Sequence, residues 1–116
     1  MNLLDFIKKE KLKRKKLLEK NLKKIISQLK KIGALKIYLF GSFSRGDIDI
    51  YSDIDLFIVM PEDKSGKEWL DIIYESIEKD VAVDFIVFNK KEFEYEKDFN
   101  PLIINILENG KLIYSK

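Results

Sequence analysis

Apolar residues recur along the chain with two different periods, which predict both helices and strands. Between residues 18 and 32 they recur every three or four positions, and Gly33 follows. This spacing predicts an amphipathic helix that ends at the glycine. Three short apolar runs, each bounded by turn residues, predict buried strands at residues 35–40, 54–60 and 81–88.

Two further helices and an edge strand complete the predicted fold. Residues 65–79 carry apolar side chains at helical spacing, with Ser65 able to cap the helix and Glu68 three residues later. Residues 101–109 predict a last helix, and residues 112–114 a short strand. We therefore expect an α/β (α+β) fold, a small mixed β-sheet with helices packed on its faces.

The charges nearly cancel overall but are unevenly distributed. The 116 residues include 22 basic and 20 acidic ones, for a net charge of +2. Residues 8–31 hold twelve basic and two acidic side chains, so this segment carries +10 and the rest carries −8. We predict one domain overall, made of a basic N-terminal helical segment (1–32) and a core (33–116). Because residues 8–16 contain only one apolar side chain, Leu12, we expect that stretch to project or to bind a partner.

Composition excludes several kinds of site. The chain has no cysteine and no histidine, which rules out disulfides, thiolate or imidazole zinc sites, cysteine nucleophiles and Ser-His-Asp triads. Any metal must therefore be held by oxygen. No apolar run approaches the ~20 residues of a membrane span, and the first residues lack the pattern of a secretion signal. The expectation is a cytoplasmic protein with no membrane partner.

The stretch from residue 41 to residue 55 concentrates small and acidic residues between two predicted strands. It is not a P-loop, because Asp47 and Ile48 stand where lysine and serine or threonine belong. It is not an EF-hand either, because Ser52 replaces the required glycine and Ile58 the closing glutamate.

Asp53 and Asp55 lie two residues apart at the start of a predicted strand, so their side chains should share one face. Two carboxylates at such a spacing repel each other by about 2 to 3 kcal/mol at an effective dielectric of ~20. A divalent cation between them would reverse this cost, and magnesium suits oxygen ligands. The alternative is a polar turn before a strand.

Asp84 interrupts an otherwise apolar run, where an ionised carboxylate is costly unless it is paired or bound to metal. It could instead accept local hydrogen bonds. If the second and third strands are neighbours, Asp84 joins Asp53 and Asp55 to form three carboxylates around two magnesium ions, which suits phosphoryl transfer. The turn at Gly41 and Ser42 could approach a phosphate, with Arg45 as a clamp, or be only structural.

These residues together resemble the nucleotidyltransferase superfamily of the DNA polymerase β type. The motif of that superfamily is Gly-Ser, about ten residues, then Asp-x-Asp, with a later strand aspartate. Here Gly41-Ser42, the ten residues 43–52 and Asp53-Ile54-Asp55 match it. Arg45-Gly46 and the run Ser52-Asp53-Ile54-Asp55-Leu56 are more similar to the minimal nucleotidyltransferases, the MntA-like antitoxins. The resemblance covers residues 33–88 and, more weakly, residues 106–114.

The resemblance implies a role for each matching residue. Asp53, Asp55 and Asp84 would be catalytic and bind magnesium, with Asp84 as the base, while Gly41, Ser42 and Arg45 would bind the nucleotide. It also implies ATP as substrate and, as partner, a HEPN-domain ribonuclease toxin that receives AMP on a tyrosine. The basic N-terminal segment would then be a docking surface. Asp47 and Asp49 depart from the pattern by adding negative charge near a triphosphate.

Three other functions fit the same residues. A small-molecule acceptor such as an aminoglycoside would keep the chemistry, but it usually needs an additional helical domain. A steric, non-catalytic antitoxin or binding protein would keep the fold and the acids without using them. An RNA-binding surface would use the clustered lysines, but the segment lacks interleaved aromatic residues for stacking, so nucleic acid is a less favoured partner.

Overall fold

The computed structural model describes residues 1–116 and contains five helices and four strands. In chain order these are α1 (Leu3–Lys31), β1 (Lys36–Phe40), α2 (Gly41–Ser44), β2 (Ile54–Met60), α3 (Gly66–Ser76), β3 (Val83–Asn89), α4 (Lys90–Glu96), α5 (Pro101–Asn109) and β4 (Lys111–Ser115).

The four strands form one mixed sheet in the order β3-β2-β1-β4. β1 runs antiparallel to both β2 and β4, whereas β2 and β3 are parallel. The parallel pair is joined by α3, which is the crossover connection that parallel neighbours require. The predicted mixed sheet is confirmed, including the edge position of the last strand.

Helices cover both faces of this sheet, as expected. Alternate side chains of β2 point to opposite faces, and all of its residues after Asp55 are buried. Leu56 and Ile58 pack on the side of α1 and α3, whereas Phe57 and Val59 pack on the side of α4 and α5. Two apolar layers result. The first includes Leu18, Ile25, Leu29, Trp69 and Ile73, and the second includes Tyr38, Phe93, Ile103 and Ile106.

The first helix is longer than its apolar periodicity predicts. It begins at Leu3, where the Asn2 side chain accepts a hydrogen bond of 2.8 Å from the Asp5 N–H. Its first buried residue is Leu18. Residues 3–17, which we call the arm, extend the helix beyond its buried half and are mostly exposed. Lysine and leucine are good helix formers, so the arm stays helical without a buried face.

Two other elements differ from the sequence-based prediction. The helix predicted at residues 65–79 has the expected capping box of Ser65 and Glu68 but ends at Ser76, because Ile77 adopts an extended conformation. The short helix α4 was not predicted, because Phe93 is its single buried residue. Its capping box, Asn89 with Glu92, is present in the sequence. No helix is long and apolar enough to cross a bilayer.

Candidate active site

The connection between β1 and β2 starts with a sharp turn that only glycine adopts easily. Gly41 has a φ of +79° and leads directly into the short helix α2. The Ser44 hydroxyl donates to the Gly41 carbonyl at 2.8 Å, and the Asp47 N–H donates to the Ser42 carbonyl at 3.0 Å. These bonds hold the half-buried Ser42 beside the end of β1, in a fixed turn.

The two acids that depart from the family pattern have local partners. The Asp49 N–H donates to the Ser52 hydroxyl at 2.8 Å, and its carboxylate accepts from the Tyr51 N–H at 2.7 Å. Asp49 therefore shapes the turn that leads into β2. The Asp47 carboxylate contacts the Arg45 guanidinium at 3.4 Å, and both side chains are exposed.

Asp55 and Asp84 lie opposite each other on the neighbouring strands β2 and β3. The adjacency on which the sequence argument depended is therefore present. The pKa of Asp55 is raised above its usual 3.8, with burial as the largest cause. The charge of Asp84, a hydrogen bond between the two carboxyl groups and the charge of Asp53 raise this pKa further, whereas Arg45 lowers it.

The sequence-based prediction for Asp84 is wrong about its burial. The apolar run around it suggested that the carboxylate is buried and needs compensation. In the structure Asp84 is exposed, while Val83 and Phe85 on either side of it are buried. Because successive strand side chains point to opposite faces, Asp84 points away from the apolar layer that buries Val83 and Phe85. On its own face, at the start of β3, Asp84 is exposed. Its contact with Asp55 is therefore not forced by burial of Asp84.

Asp53 lies just before β2 and is turned towards the N-terminal helix. Its Oδ1 atom accepts a hydrogen bond from Nη2 of Arg14 at 3.2 Å, and Nε of the same guanidinium donates to the Ser52 carbonyl at 2.9 Å. As they stand, Asp53, Asp55 and Asp84 do not form a group of three that would hold an ion. Of the three predicted metal ligands, Asp55 and Asp84 lie side by side, whereas Asp53 forms an ion pair with Arg14.

Arg14 was not among the residues singled out from the sequence. The chain has only two arginines, and the second, Arg45, lies in the motif loop. Arg14 is four residues before Leu18, on the stripe that continues with Asn21 and Ile25 into the core. A lone arginine among lysines, placed on the buried stripe of a helix, was the available signal.

The donor set at this site fits a hard cation. Asp55 and Asp84 place two carboxylates side by side, and a divalent ion bound between them would neutralise their charge. A Cβ atom added at Gly41 would lie 2.2 Å from Oδ2 of Asp55, so the glycine leaves room for this carboxylate. The two concave pockets of the molecule, beside Phe93 and beside Leu70, include none of the motif residues. The acidic site is an open surface.

Comparison with known proteins identifies the family. Residues 19–113 match the family described as "Nucleotidyltransferase domain". The chain belongs to this family. The match includes most of the buried half of α1, the strands β1 to β3, the first three residues of β4 and the three aspartates. It excludes the whole arm, including Arg14.

Two curated relatives come from Methanocaldococcus jannaschii. "Putative protein adenylyltransferase MJ1305" is 32% identical over 88 residues, which cover 71% of this chain and 59% of that protein. "Putative protein adenylyltransferase MJ0141" is 36% identical over 75 residues, which cover 61% of this chain and 76% of that protein. The chain therefore spans less than two thirds of MJ1305 and about three quarters of MJ0141.

Two solved structures share the fold. One is described as a "putative nucleotidyltransferase from Sulfolobus solfataricus", with a TM-score of 0.55, 22% identity and coverage of 93% of this chain and 86% of that one. The other is a "toxin-antitoxin with AMP-PNP", with a TM-score of 0.51, 22% identity and coverage of 83% and 74%. Both likenesses support the minimal nucleotidyltransferase fold expected from the motif.

Proposed function

We propose that this chain is a protein adenylyltransferase that transfers AMP from Mg-ATP to a tyrosine hydroxyl of a partner protein. The observation that carries the proposal is the pairing of Asp55 with Asp84 beside the Gly41 turn, with Asp53 two residues away. The names of the two curated relatives support adenylyl transfer to a protein. The toxin–antitoxin neighbour supports a toxin as the partner, and we propose that this toxin has a HEPN domain.

Each residue of the site has a task in this reaction. Asp53 and Asp55 would hold magnesium, with Asp84 as a third ligand, and two ions fit this charge. When bound, the ions neutralise the triphosphate and the departing pyrophosphate. Gly41 and Ser42 would bind phosphate oxygens through the fixed turn, and Arg45 would leave Asp47 to add a donor.

The bond changes follow from these positions. The tyrosine oxygen attacks the α-phosphorus, its proton passes to the Asp84 carboxylate, and the bond from the α-phosphorus to the bridging oxygen breaks. AMP becomes esterified to tyrosine and pyrophosphate leaves. The exposure of Asp84 suits this role, because a base that serves a protein acceptor must be reachable from outside.

Asp53→Asn should reduce transfer by about 100-fold, because it weakens metal binding while leaving Asp55 and Asp84 in place. The measurement is transfer from ATP labelled at the α-phosphate, with magnesium, into proteins of a source-cell extract. Asp71→Asn is the matched control, because Asp71 is an exposed acid on α3. ATP labelled at the γ-phosphate separates adenylyl from phosphoryl transfer.

The proposal is supported if one band takes the α-label, not the γ-label, with the wild type and Asp71→Asn but not with Asp53→Asn. Mass spectrometry of that band then identifies the modified residue and the protein. Label from the γ-phosphate would indicate a kinase instead. Equal labelling by Asp53→Asn and the wild type would contradict the site, and no labelled band with the wild type would contradict transfer.

A steric antitoxin is the second candidate, and the exposed arm favours it. Leu3, Leu4, Phe6 and Leu12 are each more than half exposed on a helix that also carries most of the basic charge. An acidic partner with an apolar patch would bury these side chains. Such a complex would survive Asp53→Asn, whereas transfer would not.

Replacing Lys9, Lys13 and Lys16 with glutamine should weaken binding of the labelled partner by about tenfold, since each exposed charge contributes a fraction of a kcal/mol. The unfolding temperature should change little, because these side chains are exposed. Isothermal titration against the isolated partner measures the effect. Replacing Lys67, Lys90 and Lys91 instead is the control, since these exposed lysines lie outside the arm. Equal weakening by both triple variants would exclude the arm as the docking surface.

A further inference from the structure

The guanidinium of Arg14 contacts one carboxylate oxygen, Oδ1, of Asp53, which is one of the three proposed metal ligands. It donates to the Asp53 carboxylate at 3.2 Å and to the Ser52 carbonyl at 2.9 Å. The Arg14 side chain is 22% exposed and that of Asp53 is 46% exposed. The ion pair is therefore partly shielded from solvent. The two hydrogen bonds that Arg14 donates suit the planar guanidinium, which presents several N–H donors in one plane.

The contact of Arg14 with Ser52 and Asp53 lies outside the part of α1 that packs in the core. Arg14 lies on the arm, before the first buried residue Leu18. The pair joins residues 39 positions apart in sequence. It is therefore a link between the arm and the motif loop, in addition to the apolar packing of the buried half of α1.

We propose that Arg14 is a positioning residue that makes the site select a metal–triphosphate complex over a free divalent cation. Arg14 acts through Asp53, and the inference rests on the proposed function. In the free protein the guanidinium compensates the Asp53 carboxylate. To bind Asp53, a free divalent cation must displace the Arg14 guanidinium, and the bound cation then lies close to this positive charge. A cation that arrives with a triphosphate brings negative charge, to which the released guanidinium is attracted.

The arrangement of the three acids supports this selection. Asp55 and Asp84 lie opposite each other on neighbouring strands. Of the three acids, only Asp53 forms an ion pair with a basic side chain. A complete set of three carboxylates is therefore not present before Asp53 leaves Arg14. The three carboxylates can therefore act together only when an incoming ligand separates Asp53 from Arg14.

Removing the Arg14 charge should therefore change the affinities for a free divalent cation and for a metal–triphosphate complex in opposite directions. Arg14→Gln should bind free Mn²⁺ about threefold to tenfold more tightly, because the competing cation is gone. The same variant should bind the Mn²⁺ complex of α,β-methylene-ATP about threefold to tenfold more weakly, because a positive charge near the phosphates is lost. A residue that merely holds the loop in shape would weaken both ligands.

The experiment measures free Mn²⁺ by electron paramagnetic resonance and the nucleotide complex by isothermal titration, with the full chain. Lys16→Gln is the matched control, because it removes one positive charge from the exposed arm near Arg14. Arg14→Lys keeps the charge but cannot donate to Ser52 and Asp53 through one fork, so its affinities should fall between those of the wild type and Arg14→Gln. Circular dichroism checks that each variant is folded.

Opposite shifts in Arg14→Gln, absent in Lys16→Gln, are the expected result. Weaker binding of both ligands, or no difference from Lys16→Gln, would overturn the inference while leaving adenylyl transfer intact. A wild-type chain that binds neither Mn²⁺ nor the nucleotide complex would overturn the proposed function itself, and the inference with it. The two failures are therefore distinguishable by the wild-type measurement.

Discussion

Asp55→Asn is expected to reduce adenylyl transfer by about 1000-fold, because a metal ligand at the reacting phosphates contributes several kcal/mol of charge stabilisation. Asparagine keeps the shape of the side chain, so the turn at Gly41 need not move. Its amide has no negative charge to bind a cation. Asp55 is also the acid that contacts Asp84 and faces Gly41, and its loss therefore affects both the metal site and the pairing of the carboxylates.

The same substitution is expected to stabilise the metal-free protein at neutral pH. The pKa of Asp55 is raised in the folded state, so the folded protein holds this proton more tightly than the unfolded chain does. The stability associated with Asp55 is therefore lost as the pH rises from its ordinary value of 3.8 through the raised value. Because the side chain is partly exposed, solvent screening limits the gain at neutral pH to about 0.5–1 kcal/mol.

Thermal unfolding in the presence of EDTA measures this gain. At pH 7 the midpoint of Asp55→Asn should lie roughly 2–5 °C above the wild type, and below pH 3.8 the difference should vanish. Asp71→Asn is the control for loss of one exposed negative charge. A variant that lost transfer and also lost stability at pH 7 would contradict the expectation that the ionised Asp55 carboxylate destabilises the metal-free protein.

The motif and its strands could be predicted because their information is local. Gly41, Asp53 and Asp55 lie within one connection and the start of the next strand, and apolar runs mark both strands. The pairing of Asp84 with Asp55 needed one further assumption, that β2 and β3 are neighbours. A strand–helix–strand unit favours this arrangement, and the structure has it.

Arg14 and the exposure of Asp84 depend on how the elements pack, which the sequence does not state. The Arg14 contact requires α1 to continue at least one turn before Leu18, its first buried residue, so that the guanidinium reaches Ser52 and Asp53. An apolar run marks a buried strand but not the residue at which that strand leaves the core, so Asp84 was wrongly placed in the interior. Both errors concern the edge of the core, where burial changes within one or two residues.

Gly41→Ala is expected to lower the free energy of unfolding by about 2–4 kcal/mol and to reduce transfer by about 100-fold. Two causes act together. A φ of +79° costs an alanine about 1–2 kcal/mol. The new Cβ atom would also lie 2.2 Å from Oδ2 and 3.1 Å from Cγ of Asp55, so the carboxylate must move, and a misplacement of about 1 Å at a reacting site costs about 100-fold in rate.

Gly46→Ala separates these two causes. Gly46 has nearly the same φ, +78°, but a Cβ atom there would meet nothing within 4 Å. This variant should therefore lose about 1–2 kcal/mol and keep most of its transfer activity. Urea unfolding and the labelled-ATP assay measure both effects on both variants.

A double-mutant cycle with Asp55→Ala tests the contact itself. Removing the carboxylate leaves the Asp55 Cβ position at 3.4 Å from the added atom, an ordinary contact. In that background Gly41→Ala should cost no more than Gly46→Ala does, which corresponds to a coupling of about 1–2 kcal/mol between residues 41 and 55. Equal costs of the two glycine substitutions in the wild-type background would instead show that backbone strain alone requires Gly41, and that Asp55 has room to move.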